Sequence, residues 1–221
     1  FFFSMFGLLL FLFIRVRTEK ILVNQRHLEA VVNQRTSEIV KQKELVETKN
    51  KEITDSINYA KRIQNAILPS TLLSKEHLTE NFFLYMPKDI VAGDFYWLET
   101  SNANEVLLAA ADWTGHGVPG ALVSVVCNND LNRTVREFHL HSPGIILNKV
   151  RDLVIETFDA SETAVKDGMD IALISINFQT KELKYAGANN DLYIISDGEL
   201  IIYPADKQPI LSYFAHNDFI E

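Results

Sequence analysis

Two short stretches hold the residue types best suited to chemistry. In Asp112-Trp113-Thr114-Gly115-His116-Gly117 a carboxylate follows the apolar run 107–111 and precedes a turn with two glycines. A carboxylate at a strand end offers a hard cation two oxygens, and a neighbouring carbonyl offers a third. Gly115 and Gly117 let the backbone approach a metal or a phosphate closely. The plainer alternative is an Asx-turn that only ends a strand. Upstream, Gly93-Asp94-Phe95-Tyr96-Trp97 presents a second carboxylate behind a glycine that clears space, again leading into a strand. Two carboxylates at neighbouring strand ends can clamp a pair of metal ions about 3.5–4 Å apart, a geometry suited to phosphoryl chemistry.

The elements that must position these residues read as follows. Residues 81–86 and 94–98 are rich in aromatics and 105–111 is a short apolar run, so all three are expected as strands. Residues 119–138 are expected as a helix with Pro119 in its first turn, and 145–158 as a second helix. Strands follow at 169–178, 183–186, 192–195 and 200–203, separated by Thr180-Lys181, by 187–190 and by Asp197-Gly198. Strands, two adjacent helices and then a strand meander predict an α+β domain with sheet packed against helices.

Before that domain, residues 17–68 contain no glycine and no proline and are rich in charged and amide side chains, which predicts one long helix. Val32, Ile39, Val46, Ile53, Ala60 and Ile67 recur every seven residues, with Ile57 on a second seam and polar Thr36, Lys43 and Asn50 at matching positions upstream. That is a patchy coiled-coil seam, expected to form a parallel homodimer; a single solvated helix is the alternative. Pro69 should stop the helix.

Residues 1–14 are almost wholly apolar, short of the roughly 20 needed to span a bilayer. The chain starts with Phe1 rather than Met, and the expectation is that residues 1–16 end a transmembrane helix begun upstream. Arg15, Arg17 and Lys20 then fall on the cytoplasmic side. A signal peptide would carry its charges ahead of the apolar run. A buried core helix is the alternative.

The chain has 221 residues, 47% of them hydrophobic, enough for one ordinary domain plus an extra element. A net charge of −8 argues against nucleic acid as a partner. The lone Cys127 cannot form an intrachain disulfide and, within an apolar run, reads as a small buried hydrophobe.

Taken together, Met86-Pro87-Lys88-Asp89-Ile90-Val91-Ala92-Gly93-Asp94-Phe95-Tyr96-Trp97 and Ala111-Asp112-Trp113-Thr114-Gly115-His116-Gly117-Val118-Pro119-Gly120-Ala121 resemble the SpoIIE/RsbU-type serine phosphatases. These are bacterial members of the metal-dependent type 2C (PPM) superfamily. The resemblance continues through Lys166-Asp167-Gly168-Met169-Asp170-Ile171-Ala172-Leu173 and Tyr185-Ala186-Gly187-Ala188-Asn189-Asn190, and covers 82 to the end. It implies an α-β-β-α sandwich with two Mn²⁺ or Mg²⁺ ions between the sheets. By resemblance Asp112 bridges both ions, the carbonyl of Trp113 is a backbone ligand, and Asp94 holds one ion directly or through water. An activated water would then hydrolyse phosphoserine or phosphothreonine with no phosphoenzyme. Lys88, six residues before Asp94, either helps to hold the phosphate or is a surface lysine. His116 either protonates the leaving oxygen or serves the turn and helix start. Asp170 matches an acidic position of close relatives, as a ligand or at the border of the metals. His27, His77, His139, His141 and His216 show no ligand spacing and read as solvated.

Such phosphatases need two further aspartates. Ser196-Asp197-Gly198-Glu199 looks like the first, but apolar runs flank it and an Asp-Gly between them signals a hairpin. It also precedes Lys207-Gln208-Pro209-Ile210, which resembles the family's usual loop. The expectation is therefore that residues 70–221 are a C-terminally incomplete phosphatase domain and that this 221-residue piece binds Mn²⁺ poorly and hydrolyses little phosphate. The whole protein is expected to be a phosphatase tethered to the inner membrane, its domain in the cytoplasm and its linker at 17–69. Relatives of this type frequently act on a phosphorylated anti-sigma-factor antagonist. A non-catalytic binding module that keeps the fold is the alternative. A histidine kinase or cyclase would need a phosphoacceptor helix or a Gly-Gly-Asp-Glu-Phe-like motif, and neither is present.

Overall fold

The computed structural model describes residues 2–69, 78, 80–102, 104–159, 168–210 and 217–221. They fall in two compact units, Phe1–Asp55 and Ser56–Glu221. Helix α1, Phe2–Ile67, is continuous, as a stretch free of proline and nearly free of glycine should be. In the first unit it is exposed along its length, and the seam residues Val32, Ile39, Val46 and Ile53 are more than half exposed. Ion pairs one turn apart, such as Arg35–Glu38 at 3.1 Å and Lys49–Glu52 at 2.8 Å, add a few tenths of a kcal/mol each. Among the described residues no helix is long and apolar enough to cross a membrane.

In the second unit the last turns of α1 turn one face inward. Ile57, Ala60 and Ile67 are half-buried and Gln64 is buried, at the three- and four-residue steps of a helix face. Leu68, just past the helix, packs against the core.

Strands β1 (Phe95–Asn102), β2 (Glu105–Trp113), β3 (Met169–Asn177) and β4 (Glu182–Ala188) form an antiparallel sheet in the order β1-β2-β3-β4. Strands β5 (Leu192–Ser196) and β6 (Glu199–Tyr203) form a separate two-stranded sheet. Their turn has positive φ at both Asp197 and Gly198, 54° and 81°, the hairpin geometry that an Asp-Gly pair favours. Helices α2 (Gly117–Arg136) and α3 (Pro143–Asp159) lie between β2 and β3 in the chain. Side chains alternate across β2 and β3. Leu107, Ala109, Ala111, Trp113, Met169, Ile171 and Leu173 are buried with Leu131, Ile146 and Val150 of the helices, while the intervening residues face away. Cys127 lies fully buried in this core, and burial pushes its thiol well above the ordinary range.

The mixed α+β architecture with antiparallel sheets is the expected one. Two details differ. Residues 81–87 form no strand and join no ladder among the described residues; Phe83 and Tyr85 instead pack their rings on Tyr96, at centroid distances of 4.4 and 5.8 Å. Helix α2 begins at Gly117, two residues before Pro119, because the glycine turn feeds straight into the helix.

Candidate metal centre

The sheet register assembles the site. Phe95 pairs with Ala111 at the end of the β1–β2 ladder, so Asp94 and Asp112 are the next opposed positions. Asp112 pairs with Asp170 in the β2–β3 ladder. Ile171 pairs with Ala188, which sets Asp170 against Asn189, and the Asn189 amide donates to Asp170 Oδ1 at 2.8 Å. Opposed residues share a face with Cβ atoms roughly 5 Å apart. Asp94, Asp112, Asp170 and Asn189 therefore run as one polar row across the sheet's end, on the face turned away from the helices. Their chain neighbours Phe95, Ala111, Trp113 and Ile171 point into the core.

Asp94 and Asp112 are close enough to hydrogen-bond. Desolvation first, then the hydrogen bond and the charge of Asp94, push the Asp112 carboxyl up from 3.8 to about 6. Such a pair favours a shared proton or a shared cation over two bare charges. Among the described residues no group of three or more His, Cys, Asp or Glu is arranged to hold a metal ion; the site's nucleus is this pair with the carbonyls beside it.

Glycines bring the two segments together. A Cβ on Gly93 would lie 2.6 Å from the Gly115 carbonyl oxygen and 2.8 Å from that of Trp113, and one on Gly120 would lie 2.8 Å from the Gly115 oxygen. The Trp113 carbonyl thus rests against the Cα next to Asp94, while its indole is buried 6.2 Å from the ring of Phe158. The turn is also tied to the start of β3. Thr114 N–H and hydroxyl lie 3.0 and 2.8 Å from the Gly168 carbonyl, and Gly168 N–H donates to the Thr114 hydroxyl at 2.7 Å.

His116 occupies the N-cap of α2 with extended backbone and makes no capping bond with its side chain. Its Nδ1 lies 2.7 Å from Asp89 Oδ2. Lys88 is exposed on the same loop. A cleft of about 500 Å³ opens over the carboxylate pair, walled by Phe83, Tyr85, Met86 and Tyr96 with Asp94 and Asp112 in its lining. The Tyr85 hydroxyl donates to the Asp94 carbonyl at 3.2 Å, and burial, then Asp94, raises its pKa, so it stays a neutral donor.

The sequence reading missed Gln64. Its side-chain amide donates to the Ala92 carbonyl and to Ser124 Oγ at 2.9 Å, while its oxygen accepts from Ala92 N–H at 3.2 Å. Beyond Asp94, Trp97 Nε1 donates to Asn132 Oδ1 of α2 at 2.9 Å. Helix α2 thereby fixes the chain on both sides of Asp94, on one side through the last turns of α1. The signal was available: Gln64 lies seven residues after Ile57, a polar residue on the seam.

Asp197 sits in the β5–β6 turn, in the second sheet and outside the row, as its hairpin context predicted. His27, His139 and His141 are exposed, with His141 Nδ1 2.6 Å from Ser101 Oγ. His77, His216, Lys166 and Asp167 lie outside the described residues.

A family model described as "Stage II sporulation protein E (SpoIIE)" matches residues 102–221. Comparison with curated proteins yields no match. Among solved structures, the SiaA-PP2C domain of Pseudomonas aeruginosa is similar at 30% identity and a TM-score of 0.68, over 77% of this chain and 66% of that one. The PP2C phosphatase domain with a fragment of the regulatory domain of the cell fate determinant SpoIIE from Bacillus subtilis matches at 17% identity and TM-score 0.47, over 59% and 36%. The RsbU and RsbW domains of a Mycobacterium tuberculosis protein match at 18% and 0.46, over 57% and 34%. The chain spans less than two thirds of the length of each of these structures.

Proposed function

The chain belongs to the SpoIIE family of PP2C-type phosphatase domains, and from that premise we propose that the Asp94–Asp112 row is the metal-holding edge of a protein serine/threonine phosphatase. The observation that carries this reading is the register. Three strands bring Asp94, Asp112 and Asp170 to one end of one face.

The residues fit the divalent cations of such enzymes. Carboxylate and carbonyl oxygens are hard donors, suited to Mg²⁺ or Mn²⁺. Desolvation and the neighbouring Asp94 raise the Asp112 carboxyl, a conflict that a shared cation would relieve. Asp94, Asp112 and the Trp113 carbonyl would hold two ions, with Asp170 beside them. When bound, the ions supply a water of lowered pKa and positive charge against the phosphoryl oxygens. The chain's own groups do the rest. His116 gives a proton to the departing serine or threonine oxygen, Lys88 draws the phosphate by charge, and the aromatic cleft seats the flanking peptide.

Around this chemistry we place a coiled-coil homodimer formed by the exposed seam of α1, a membrane anchor at residues 1–16 and the phosphatase domain in the cytoplasm. The seam spacing supports the first, and the apolar run followed by Arg15, Arg17 and Lys20 supports the other two. The substrate is a phosphorylated signalling protein, with an anti-sigma-factor antagonist the first to try. The experiment is phosphate release by the full-length protein from phosphoserine and phosphotyrosine peptides, after chelation and after Mn²⁺ is restored. Restored release from phosphoserine supports the reading; release untouched by chelation overturns it.

A further inference from the structure

We infer that Asp89 is a positioning residue for His116, holding the imidazole so that its free nitrogen serves the leaving oxygen. The inference rests on the phosphatase reading above. Four observations carry it. First, Asp89 Oδ2 and His116 Nδ1 are 2.7 Å apart, the distance of a short, charge-assisted hydrogen bond. A carboxylate facing Nδ1 makes that nitrogen the donor and leaves Nε2 as the one that can exchange a proton with substrate.

Second, His116 stands at an N-cap, a position for which Ser, Thr, Asp and Asn are favoured, yet its side chain caps nothing. The histidine is a poor choice for starting the helix, and its ring is committed to Asp89 instead. Third, Gly117 has φ +67°, and a Cβ there would lie 3.6 Å from Asp89 Oδ2. A side chain at 117 would strain the turn, whose φ suits glycine, and the room beside Gly117 is taken by the carboxylate in van der Waals contact. Fourth, the pair spans the same two segments that bring Asp94 to Asp112. Gly93 seats on the carbonyls of Trp113 and Gly115, and Gln64 anchors Ala92, so the loop carrying Asp89 is fixed against the turn carrying His116.

The bond from phosphorus to the serine oxygen breaks while one to a water oxygen forms. The serine oxygen takes the proton from His116 Nε2, and the proton lost by the water returns through solvent to recharge the ring. Asp89 accepts the hydrogen bond from Nδ1–H throughout and takes no part in the transfer.

The bland reading is a clamp between the loop and the helix start, and leaving-group dependence separates the two. A serine oxygen needs a proton to depart, whereas nitrophenolate departs without one. With the full-length protein and Mn²⁺, His116→Gln is expected to lower kcat on a phosphoserine peptide about 100-fold and Asp89→Asn about 10-fold. Both losses should be several-fold smaller on p-nitrophenyl phosphate. The double variant should lose no more than His116→Gln alone, and Asp89→Glu should recover part of the activity. Equal losses on both substrates, or losses that multiply in the double variant, would overturn the assignment. If the wild-type protein turns over neither substrate, the phosphatase reading falls and this inference with it.

Discussion

Asp94 and Asp112 stand opposite each other one step beyond the last β1–β2 pair, with their carboxyl groups in hydrogen-bonding reach. The β1–β2 register, the contact of Gly93 with two carbonyls, and the anchoring of Ala92 and Trp97 all fix that approach. Two carboxyls held this close resist ionising together, and a divalent cation removes the conflict.

Stability should therefore depend on pH and on metal in opposite senses. Desolvation, then Asp94, raises the Asp112 value in the folded chain from 3.8 to about 6. The protonated form thus favours folding. Its contribution is complete below about pH 4 and is lost as pH rises through about 6 in the metal-free protein. Mn²⁺ should restore it, so the rise in Tm on adding Mn²⁺ is expected to be larger at pH 7.5 than at pH 5. Thermal unfolding with and without Mn²⁺ checks this, and a larger rise at pH 5 would contradict it.

Gly93→Ala should be costly for a residue with so small a change. The new methyl would meet backbone oxygens at 2.6 and 2.8 Å, which cannot swing aside as a flexible side chain can. A loss of about 1–3 kcal/mol is expected, read as a lower urea midpoint with unchanged slope. A midpoint equal to wild type would mean that Gly93 is not closely packed there.

Much of this was legible in the residues. The Gly-Asp and Asp-x-x-Gly-His-Gly stretches fell at strand ends as expected, and Asp197-Gly198 formed the predicted hairpin. What composition and spacing could not supply was register. The opposition of Asp112 to Asp170 depends on which residues of β2 and β3 pair across an intervening pair of helices, and no local pattern encodes that. The strand expected at 81–86 was misread because alternating aromatics look alike whether they pack by rings or join a ladder. Gln64 escaped notice because a polar seam residue reads as a register device of the coiled coil until its partners, Ala92 and Ser124, are known.

Gln64→Ala should leave Ala92 N–H and C=O unpaired in a buried position, at a cost of about 1–3 kcal/mol. It should also uncouple the helix from the site. One residue inserted after Val46 turns the helix that follows by about 100° relative to what precedes it, and is expected to change the activity of the wild-type protein but not that of Gln64→Ala. Unchanged activity of the wild-type protein over several such insertions would sink the coupling.

Asp170 and Asp112 should differ in rank. Asp170 already holds the Asn189 amide at 2.8 Å, whereas Asp112 sits between Asp94 and Asp170. Asp170→Asn is expected to weaken Mn²⁺ binding by about 10–100-fold and Asp112→Asn by more, as calorimetric titration would read. The reverse order would move the centre of the site to β3.

The central claim is that this carboxylate pair holds the cations of a phosphatase, and its most direct test is phosphate release from a phosphoserine peptide by the full-length protein across a Mn²⁺ titration, wild type beside Asp112→Asn. Saturable Mn²⁺ activation is expected in the wild-type protein, with a loss of more than about 100-fold in the variant, since even groups that only orient metal ligands are worth about 10–100-fold. Activity that needs no divalent cation, or that survives Asp112→Asn with the same Mn²⁺ dependence, would contradict it.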